Sequence, residues 1–494
     1  MRILKILALS SMLLAVVQAH AADKVLTVAA SAFPDSLVTG RATFASLSLL
    51  TQTNEPLVLR DDSGELIPGL ATGWKQVDAK TWRFTLRQNV KWHDGKPFTS
   101  KDVVFTIGRV VNPQTAYGFL SRVDQVVGAK AIDDYTVDIF TKAPTLTLVR
   151  GLSDIVMEPE HYYAQGADAM QKRPLGTGPF VFDKWVSGDR YELKANRAYW
   201  GGAPKLDRVV IRQIPEASTR IASLLAGESQ IIEETPVDLI DHLKSDPSNR
   251  ILETTSTAGL VLSFDTRIPP FDNPKVREAI NLAIDKPTIL KQILKGHGEL
   301  LQGQLLTAAT FGFNPKLRAQ SYDPEKAKEL LKAANFDFAT RLPISYQPGK
   351  YLSDVDIVNA TVGMLNKIGV KAEPNVMESG AYIKALMGSK IGPMHVVGWY
   401  SLGDAIFATT WFTQTNNRPG WSNKRYDDLF KLAQTELDAE KRRGYYQDMM
   451  QIMNAEHPSI FLFGIPSIYG VKANVRGFKA PSDKLLRLGN VTID

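Results

Sequence analysis

Strand patterns and helix patterns alternate along the chain, and this interleaving is the feature that most restricts how it can fold. Residues 81–87 alternate between polar and apolar side chains, which puts Trp82, Phe84 and Leu86 on one face of a half-buried strand. Asn273 precedes a stretch whose apolar residues recur at helical spacing. No repeat of fixed period and no low-complexity linker interrupts the series. The sequence therefore predicts an α/β protein.

Polar residues that can cap the first turn of a helix mark several helix starts. Thr99 with Asp102 predicts a helix that runs through Val110. Further starts are predicted at Asn273, Asp285, Asp323 and Asp438, and Gly296 is predicted to end the helix that begins at Asp285. Short apolar segments between the later helices are predicted to form a second sheet: residues 260–264, 342–346, 395–400 and 460–463. Two sheets imply two lobes.

The first residues of the chain have the pattern of a secretory signal. Arg2 and Lys5 precede an apolar run over residues 6–17, and residues 19–21 read Ala-His-Ala. A run of about 12 apolar residues is too short for a bilayer core that needs roughly 20, which argues against a retained anchor. We expect cleavage after Ala21.

The absence of cysteine limits where the mature protein can reside. A chain without cysteine has no disulfide and cannot carry a bacterial lipoprotein anchor. No segment after the signal is apolar for long enough to span a membrane, so the mature chain is expected to be soluble. We expect a freely diffusing protein in the periplasm of a two-membrane bacterium, with secretion to the medium as the alternative.

The length of the chain argues against a single hydrophobic core, and the distribution of its charges shows no sign of nucleic-acid binding. Removing 21 residues from 494 leaves 473, which is too many for one hydrophobic core and suits two to four domains. The formal charge of +6 includes Arg2 and Lys5, so the mature chain is near +4. Acidic and basic residues are intermixed, with no basic run or basic helix face.

No motif of an enzyme is found in the sequence. The serine-nucleophile elbow, the phosphate loop and the zinc helix are all absent. The six histidines after the signal lie at positions 93, 161, 242, 297, 395 and 457, where no two are spaced to share a metal on one element. We expect no catalytic residue, no metal and no cofactor.

An aromatic segment is the best candidate for a binding site. Residues 397–404 run from a predicted strand into a loop, which puts Trp399, Tyr400 and a carboxylate, Asp404, at the mouth of a sheet. Ligands of α/β sheets bind at such strand ends. The alternative is a buried tryptophan followed by an aspartate that caps a helix.

Short motifs distributed in order over nearly the whole mature chain carry a family resemblance. They are residues 54–57 (NEPL), 86–99 (LRQNVKWHDGKPFT), 101–103 (KDV), 176–180 (GTGPF), 196–202 (NRAYWGG), 220–228 (RIASLLAGE), 276–280 (VREAI) and 322–327 (YDPEKA). This set resembles family 5 of the bacterial extracellular solute-binding proteins, the group that binds oligopeptides, dipeptides, glutathione and nickel.

The resemblance implies a two-lobed fold of the type II periplasmic-binding-protein class (cluster C), with an additional subdomain and two hinge strands. The first lobe would hold residues 22–48, 176–258 and 474–494, the additional subdomain 49–175, and the second lobe 259–473. It also implies a role: a monomeric periplasmic component of an ABC transporter that imports di- or oligopeptides. Its protein partners would be an inner-membrane permease and the ATPase subunits.

The resemblance also points to ligand-binding residues. Peptide-binding members pair an aspartate with the peptide amine in a stretch like Trp-x-x-Asp-x-x-Asp-Pro. This chain has Trp399 and, within one residue, Asp404, but Leu402 stands where the first acid is expected and Ala405 replaces the proline. The candidate ligand-binding residues are Asp404, Trp399, Tyr400, Ser401 and Tyr346.

Other functions stay open at this point. The same receptor role could serve an opine, an oligosaccharide, glutathione or a nickel chelate. A peptide-holding chaperone and a periplasmic hydrolase are further alternatives, which binding of long unfolded proteins or turnover of a peptide would reveal.

Overall fold

The computed structural model describes residues 23–34, 37, 44–115, 122–163, 165–166, 169–416 and 420–494. The predicted signal, residues 1–21, lies outside this range. None of the helices in the described part of the chain has both the length and the hydropathy required to cross a membrane.

The described strands are β1 (Val25–Ala30), β2 (Val58–Arg60), β3 (Leu66–Pro68), β4 (Ala71–Asp78), β5 (Thr81–Leu86), β6 (Val126–Asp133), β7 (Thr136–Thr141), β8 (Phe180–Val186), β9 (Arg190–Ala195), β10 (Arg208–Gln213), β11 (Ile231–Ile232), β12 (Asn249–Phe264), β13 (Glu299–Leu300), β14 (Arg341–Tyr346), β15 (Lys371–Val376), β16 (Met394–Tyr400), β17 (Ser459–Lys472), β18 (Val475–Arg476) and β19 (Thr492–Ile493). The described helices are α1 (Phe44–Leu50), α2 (Ser100–Val111), α3 (Leu148–Leu152), α4 (Glu160–Tyr163), α5 (Ala169–Lys172), α6 (Ala217–Leu225), α7 (Ile240–Ser245), α8 (Pro274–Leu282), α9 (Lys286–Gln292), α10 (Pro324–Ala333), α11 (Asp354–Lys367), α12 (Ser379–Met387), α13 (Ala405–Thr409), α14 (Lys424–Thr435) and α15 (Ala439–Glu456).

One mixed sheet runs through both halves of the molecule in the order β15-β14-β16-β12-β17-β11-β1-β10-β9-β8, with β13 paired to β17 off this path. β14 is parallel to β15 and β16, and β1 is parallel to β10 and β11. Separate hydrophobic cores pack against the two halves. The α/β class predicted from the sequence is confirmed.

The long strands β12 and β17 join the two halves. β12 has 16 residues and β17 has 14, and they pair antiparallel along both halves of the sheet. The pairing is interrupted between Thr255 and Gly259, where the Ser256 hydroxyl instead donates to the Ile465 carbonyl at 2.5 Å. Gly259 and Gly464 face each other just beyond, and a Cβ on Gly259 would lie 2.6 Å from the Leu305 carbonyl oxygen. The backbone of β12 therefore lies close to the backbone around Leu305, near the point where the two halves meet.

The prediction of a separate second sheet was wrong. The four apolar segments do form strands, β12, β14, β16 and β17, but β12 and β17 extend well beyond the apolar residues that mark them in the sequence. Their added length pairs them with strands on both sides, so the two sets of strands become one sheet.

A smaller four-stranded antiparallel sheet, in the order β4-β5-β7-β6, has a core of its own with α2. Trp82, Phe84 and Leu86 of β5 are all buried, as their alternation predicts. Thr99 and Asp102 form the predicted capping box of α2.

The predicted caps of the later helices are also confirmed. Asn273, Asp285, Asp323 and Asp438 each accept a backbone hydrogen bond at the start of α8, α9, α10 and α15. The predicted end of α9 was wrong, because the helix stops at Gln292. The Gly296 amide bonds back to the Leu290 carbonyl at 3.0 Å, so the glycine closes the turn that follows the helix.

Candidate functional site

The strand directions define a site where the two halves of the main sheet meet. β1 and β11 point in the same direction as β12, whereas β14 and β16 point in the opposite direction. Tyr400 at the end of β16 pairs with Ala258, close to the interruption in β12. The carboxyl ends of β1 and β11 therefore point toward those of β14 and β16, the position at which α/β sheets bind ligands.

We call the residues around these ends the strand-end site. It comprises Ser31, Glu233, Glu234 and Lys484 on one side and Tyr346, Lys350, Tyr351 and Tyr400 on the other.

Acidic groups dominate the first side of the site. Glu233 and Glu234 directly follow β11, and the Lys484 ammonium contacts the Glu234 carboxylate at 2.7 Å. Burial acts to lower the pKa of Lys484, but Glu234 and then Tyr400 outweigh it and raise that pKa above its ordinary value. Lys484 thus links the acidic pair to the end of β16 across the site.

Tyrosines and a lysine form the second side. The Gly398 amide donates to the Tyr351 hydroxyl at 2.8 Å, and burial, followed by Tyr400, raises the pKa of Tyr351. The Lys350 ammonium lies 5.2 Å from the centre of the Tyr382 ring and 5.6 Å from that of Tyr351. Lys350 is exposed, and partial desolvation lowers its pKa.

Of the sequence-predicted residues, Tyr400 lies half-buried in the strand-end site and Tyr346 is buried at the end of β14. Ser401 is also buried. Its hydroxyl donates to the Thr257 carbonyl at 2.9 Å and lies 2.7 Å from the Thr310 hydroxyl. Ser401 therefore ties the loop after β16 to the interruption in β12.

Trp399 packs inside the second half of the molecule. Its ring stacks on Trp411 with centroids 5.5 Å apart and meets Phe412 edge-on at 6.1 Å. It is 7 % exposed. The alternative of a buried tryptophan describes this packing, and direct contact of Trp399 with a ligand stays a prediction.

Asp404 has two partners already. Its carboxylate accepts from the Ile406 amide at 3.2 Å as the cap of α13, and contacts the Arg442 guanidinium at 2.9 Å. The residue is 4 % exposed. The helix-capping alternative is therefore confirmed, and pairing of Asp404 with a ligand amine stays a prediction.

The sequence reasoning missed Glu233, Glu234, Lys350, Tyr351 and Lys484. A signal existed for the two acids, because they directly follow the apolar pair 231–232 as Tyr400 follows its own strand. The others come from loops and from the C-terminal segment, and no local pattern marks them. Among the described residues, no group of three or more histidine, aspartate or glutamate side chains is placed to hold a metal.

Comparison with known proteins gives a consistent group of matches. The model of the bacterial extracellular solute-binding proteins, family 5, matches residues 65–419. The dipeptide-binding protein of Escherichia coli K12 is 30% identical over 459 residues, covering 84% of each chain. The heme-binding protein A of Haemophilus influenzae is 29% identical over 444 residues, covering 82% of this chain and 80% of the relative.

Solved structures share the whole fold. The periplasmic binding protein DppA of Helicobacter pylori, in complex with the peptide STSA, aligns with a TM-score of 0.86 and 25% identity over 95% of this chain and 98% of that one. The binding protein AgaA of A. tumefaciens, in complex with agropinic acid, aligns at 0.83 and 25% identity over 95% and 99%. The two-lobed fold predicted from the sequence is confirmed.

Proposed function

Because the chain belongs to family 5 of the bacterial extracellular solute-binding proteins, we propose that it is the periplasmic receptor of an ABC transporter that imports peptides. The family consists of solute-binding receptors and not of catalysts. The peptide enters between the lobes, and the closed complex delivers it to a membrane permease driven by ATPase subunits. The working protein is a monomer, exported by a signal cleaved after Ala21.

The observation that carries this proposal is the convergence of opposite charges and phenol rings at the strand-end site. A peptide is a zwitterion, and the site offers carboxylates on one side and the Lys350 ammonium on the other. A neutral oligosaccharide would leave the charges of Glu233 and Lys350 without a partner. The peptide ligands of the E. coli and H. pylori proteins support the same ligand class.

A nickel chelate has less support. His395 is fully buried in β16, and burial lowers its pKa to about 4. Its imidazole is therefore enclosed in the core and does not reach the strand-end site.

We propose that the moving units are those the family resemblance implies: residues 22–48, 176–258 and 474–494 as one lobe, 49–175 as the additional subdomain, and 259–473 as the other lobe. The separate hydrophobic cores support this division. The interruption in β12–β17 pairing supports bending at that point. Tyr346, Trp399, Tyr400 and Ser401 are proposed to form or support the ligand-binding wall of the second lobe.

A bound peptide is expected to stabilise the protein and to close it. A ligand at about 100 times its Kd adds about 2.7 kcal/mol to the free energy of unfolding, which raises the Tm. The radius of gyration should fall as the lobes close. Calorimetric titration with di-, tri- and tetrapeptides, followed by X-ray scattering of the tightest complex, measures both. A tight ligand that leaves the scattering radius unchanged would contradict closure.

A further inference from the structure

Glu233 is a carboxylate with an incomplete set of partners. The Ser31 backbone amide donates to it, but among the described residues no basic side chain forms an ion pair with it. Its neighbour Glu234 is paired with Lys484. Glu233 is only half-buried, so its carboxylate can be reached from the strand-end site.

The backbone that carries Glu233 is held firmly. Arg220 is 4 % exposed and donates to the carbonyls of Glu233 at 3.0 Å and Glu234 at 3.2 Å, and a third bond to Ile214 at 2.8 Å fixes the guanidinium. Glu234 has a left-handed backbone, with φ at +51°. Because Arg220 bonds to carbonyl oxygens, it positions the Glu233 backbone and leaves the carboxylate unpaired.

The position of Glu233 suits a cation supplied by the ligand. It stands at the carboxyl end of β11, facing the second lobe, and the charge of the adjacent lysine is already engaged by Glu234. Asp404, by contrast, is occupied by Arg442 and the cap of α13. A cationic group brought into a closed cleft needs a carboxylate that is free to pair with it.

We propose that Glu233, on the first lobe, binds the amino group of the peptide ligand. This inference rests on the proposed function, because it names the residue that recognises one group of the peptide. Asp404 then serves the structure of the second lobe, and the ligand amine is held on the opposite side of the cleft.

The pH dependence of binding follows from the surroundings of this carboxyl. Burial, followed by the charge of Glu234, raises the pKa of Glu233 to about 7, against the opposing effects of the Ser31 amide, Lys484 and Arg220. Tyr469 on β17 also faces it. The ion pair needs both the ionised carboxylate and the protonated amine, whose own pKa is about 7.7–8.0, so affinity is highest near pH 7.5 and falls as the pH drops through the pKa of Glu233. Between pH 7.5 and pH 5.5 the loss is expected to be about 15-fold.

The test compares trialanine with N-acetyl-trialanine by calorimetry at pH 7.5, on the full mature chain and on two variants. Glu233→Gln is expected to lower the affinity for trialanine about 30-fold or more. The same variant should lower the affinity for the acetylated peptide less than about threefold. The matched control, Glu228→Gln, changes an exposed glutamate of the same lobe and should alter neither affinity. Loss of the pH dependence in Glu233→Gln completes the expected pattern.

Other outcomes overturn the inference in distinguishable ways. The amine would be assigned to another group if Glu233→Gln lost the same affinity for both peptides. The same holds if Asp404→Asn lost affinity only for the peptide with a free amine. If the unmodified chain binds no di-, tri- or tetrapeptide, the proposed function itself fails. Should Glu233→Gln not fold, the pH series on the unmodified chain decides, because an affinity that is constant from pH 7.5 to 5.5 contradicts the role of Glu233.

Discussion

Replacing Arg60 with methionine is expected to lower the free energy of unfolding by about 3 kcal/mol, because it removes the cation shared by two buried carboxylates. Asp483 would keep its contact with Arg487 at 2.7 Å, but Asp154 would keep only a more distant arginine, Arg122, at 3.7 Å. The Arg60 guanidinium contacts Asp154 at 2.7 Å and Asp483 at 2.9 Å, and it donates to the Ser153 hydroxyl at 2.5 Å. Both carboxylates are at most 3 % exposed. Burial acts to lower the pKa of Arg60, but the two aspartates outweigh it and raise that pKa.

This ion network joins the additional subdomain to the C-terminal segment. Urea unfolding followed by tryptophan fluorescence measures the loss. Arg341→Met is the matched control, because Arg341 pairs with Glu373 at the surface, where the arginine side chain is 76 % exposed. Such exposed pairs contribute about 0–1 kcal/mol. If both variants lose less than about 1 kcal/mol, the network is not a structural joint.

Replacing Arg442 with methionine is expected to cost about 3–5 kcal/mol of stability for a similar reason, since Asp404 would remain buried without a cation. The Arg442 guanidinium also lies 4.5 Å from the centre of the Phe311 ring, a cation–π contact that adds to the loss. Thermal unfolding of the ligand-free protein measures this effect separately from binding.

The neighbouring residue supplies the control for this second prediction. Arg443 lies at the same distance from the Phe311 ring, but its ion pair with Glu440 is exposed. Arg443→Met should therefore cost less than about 1 kcal/mol. Equal effects of the two variants would mean that the Asp404–Arg442 pair contributes little, and would leave Asp404 available to a ligand.

Local features of this fold could be predicted from the sequence, because their causes lie within a few residues. The caps at Asn273, Asp323 and Asp438 each satisfy amides two or three positions away. The alternation of polar and apolar residues in β5 follows from the two faces of a single strand. Such patterns depend on backbone geometry that tertiary packing did not alter here.

Only part of the candidate site could be predicted from the sequence by the same reasoning. Tyr400 was found because it ends a recognisable strand, whereas Lys484 reaches Glu234 over 250 positions of sequence. The ends of β12 and β17 could not be predicted either, because each strand is extended by pairing with the other and not by its own apolar residues. The sequence left two interpretations of Asp404, and only the position of Arg442 showed what its carboxylate contacts.

The pairing of β12 with β17 also bears on how the molecule denatures. These strands are central in both halves of the sheet. Detaching either strand would therefore expose the hydrophobic cores of both halves to solvent at once. We therefore expect neither lobe to unfold while the other keeps its full set of strands. The two strands at which we propose that the lobes bend are thus expected to make the lobes a single cooperative unit in unfolding.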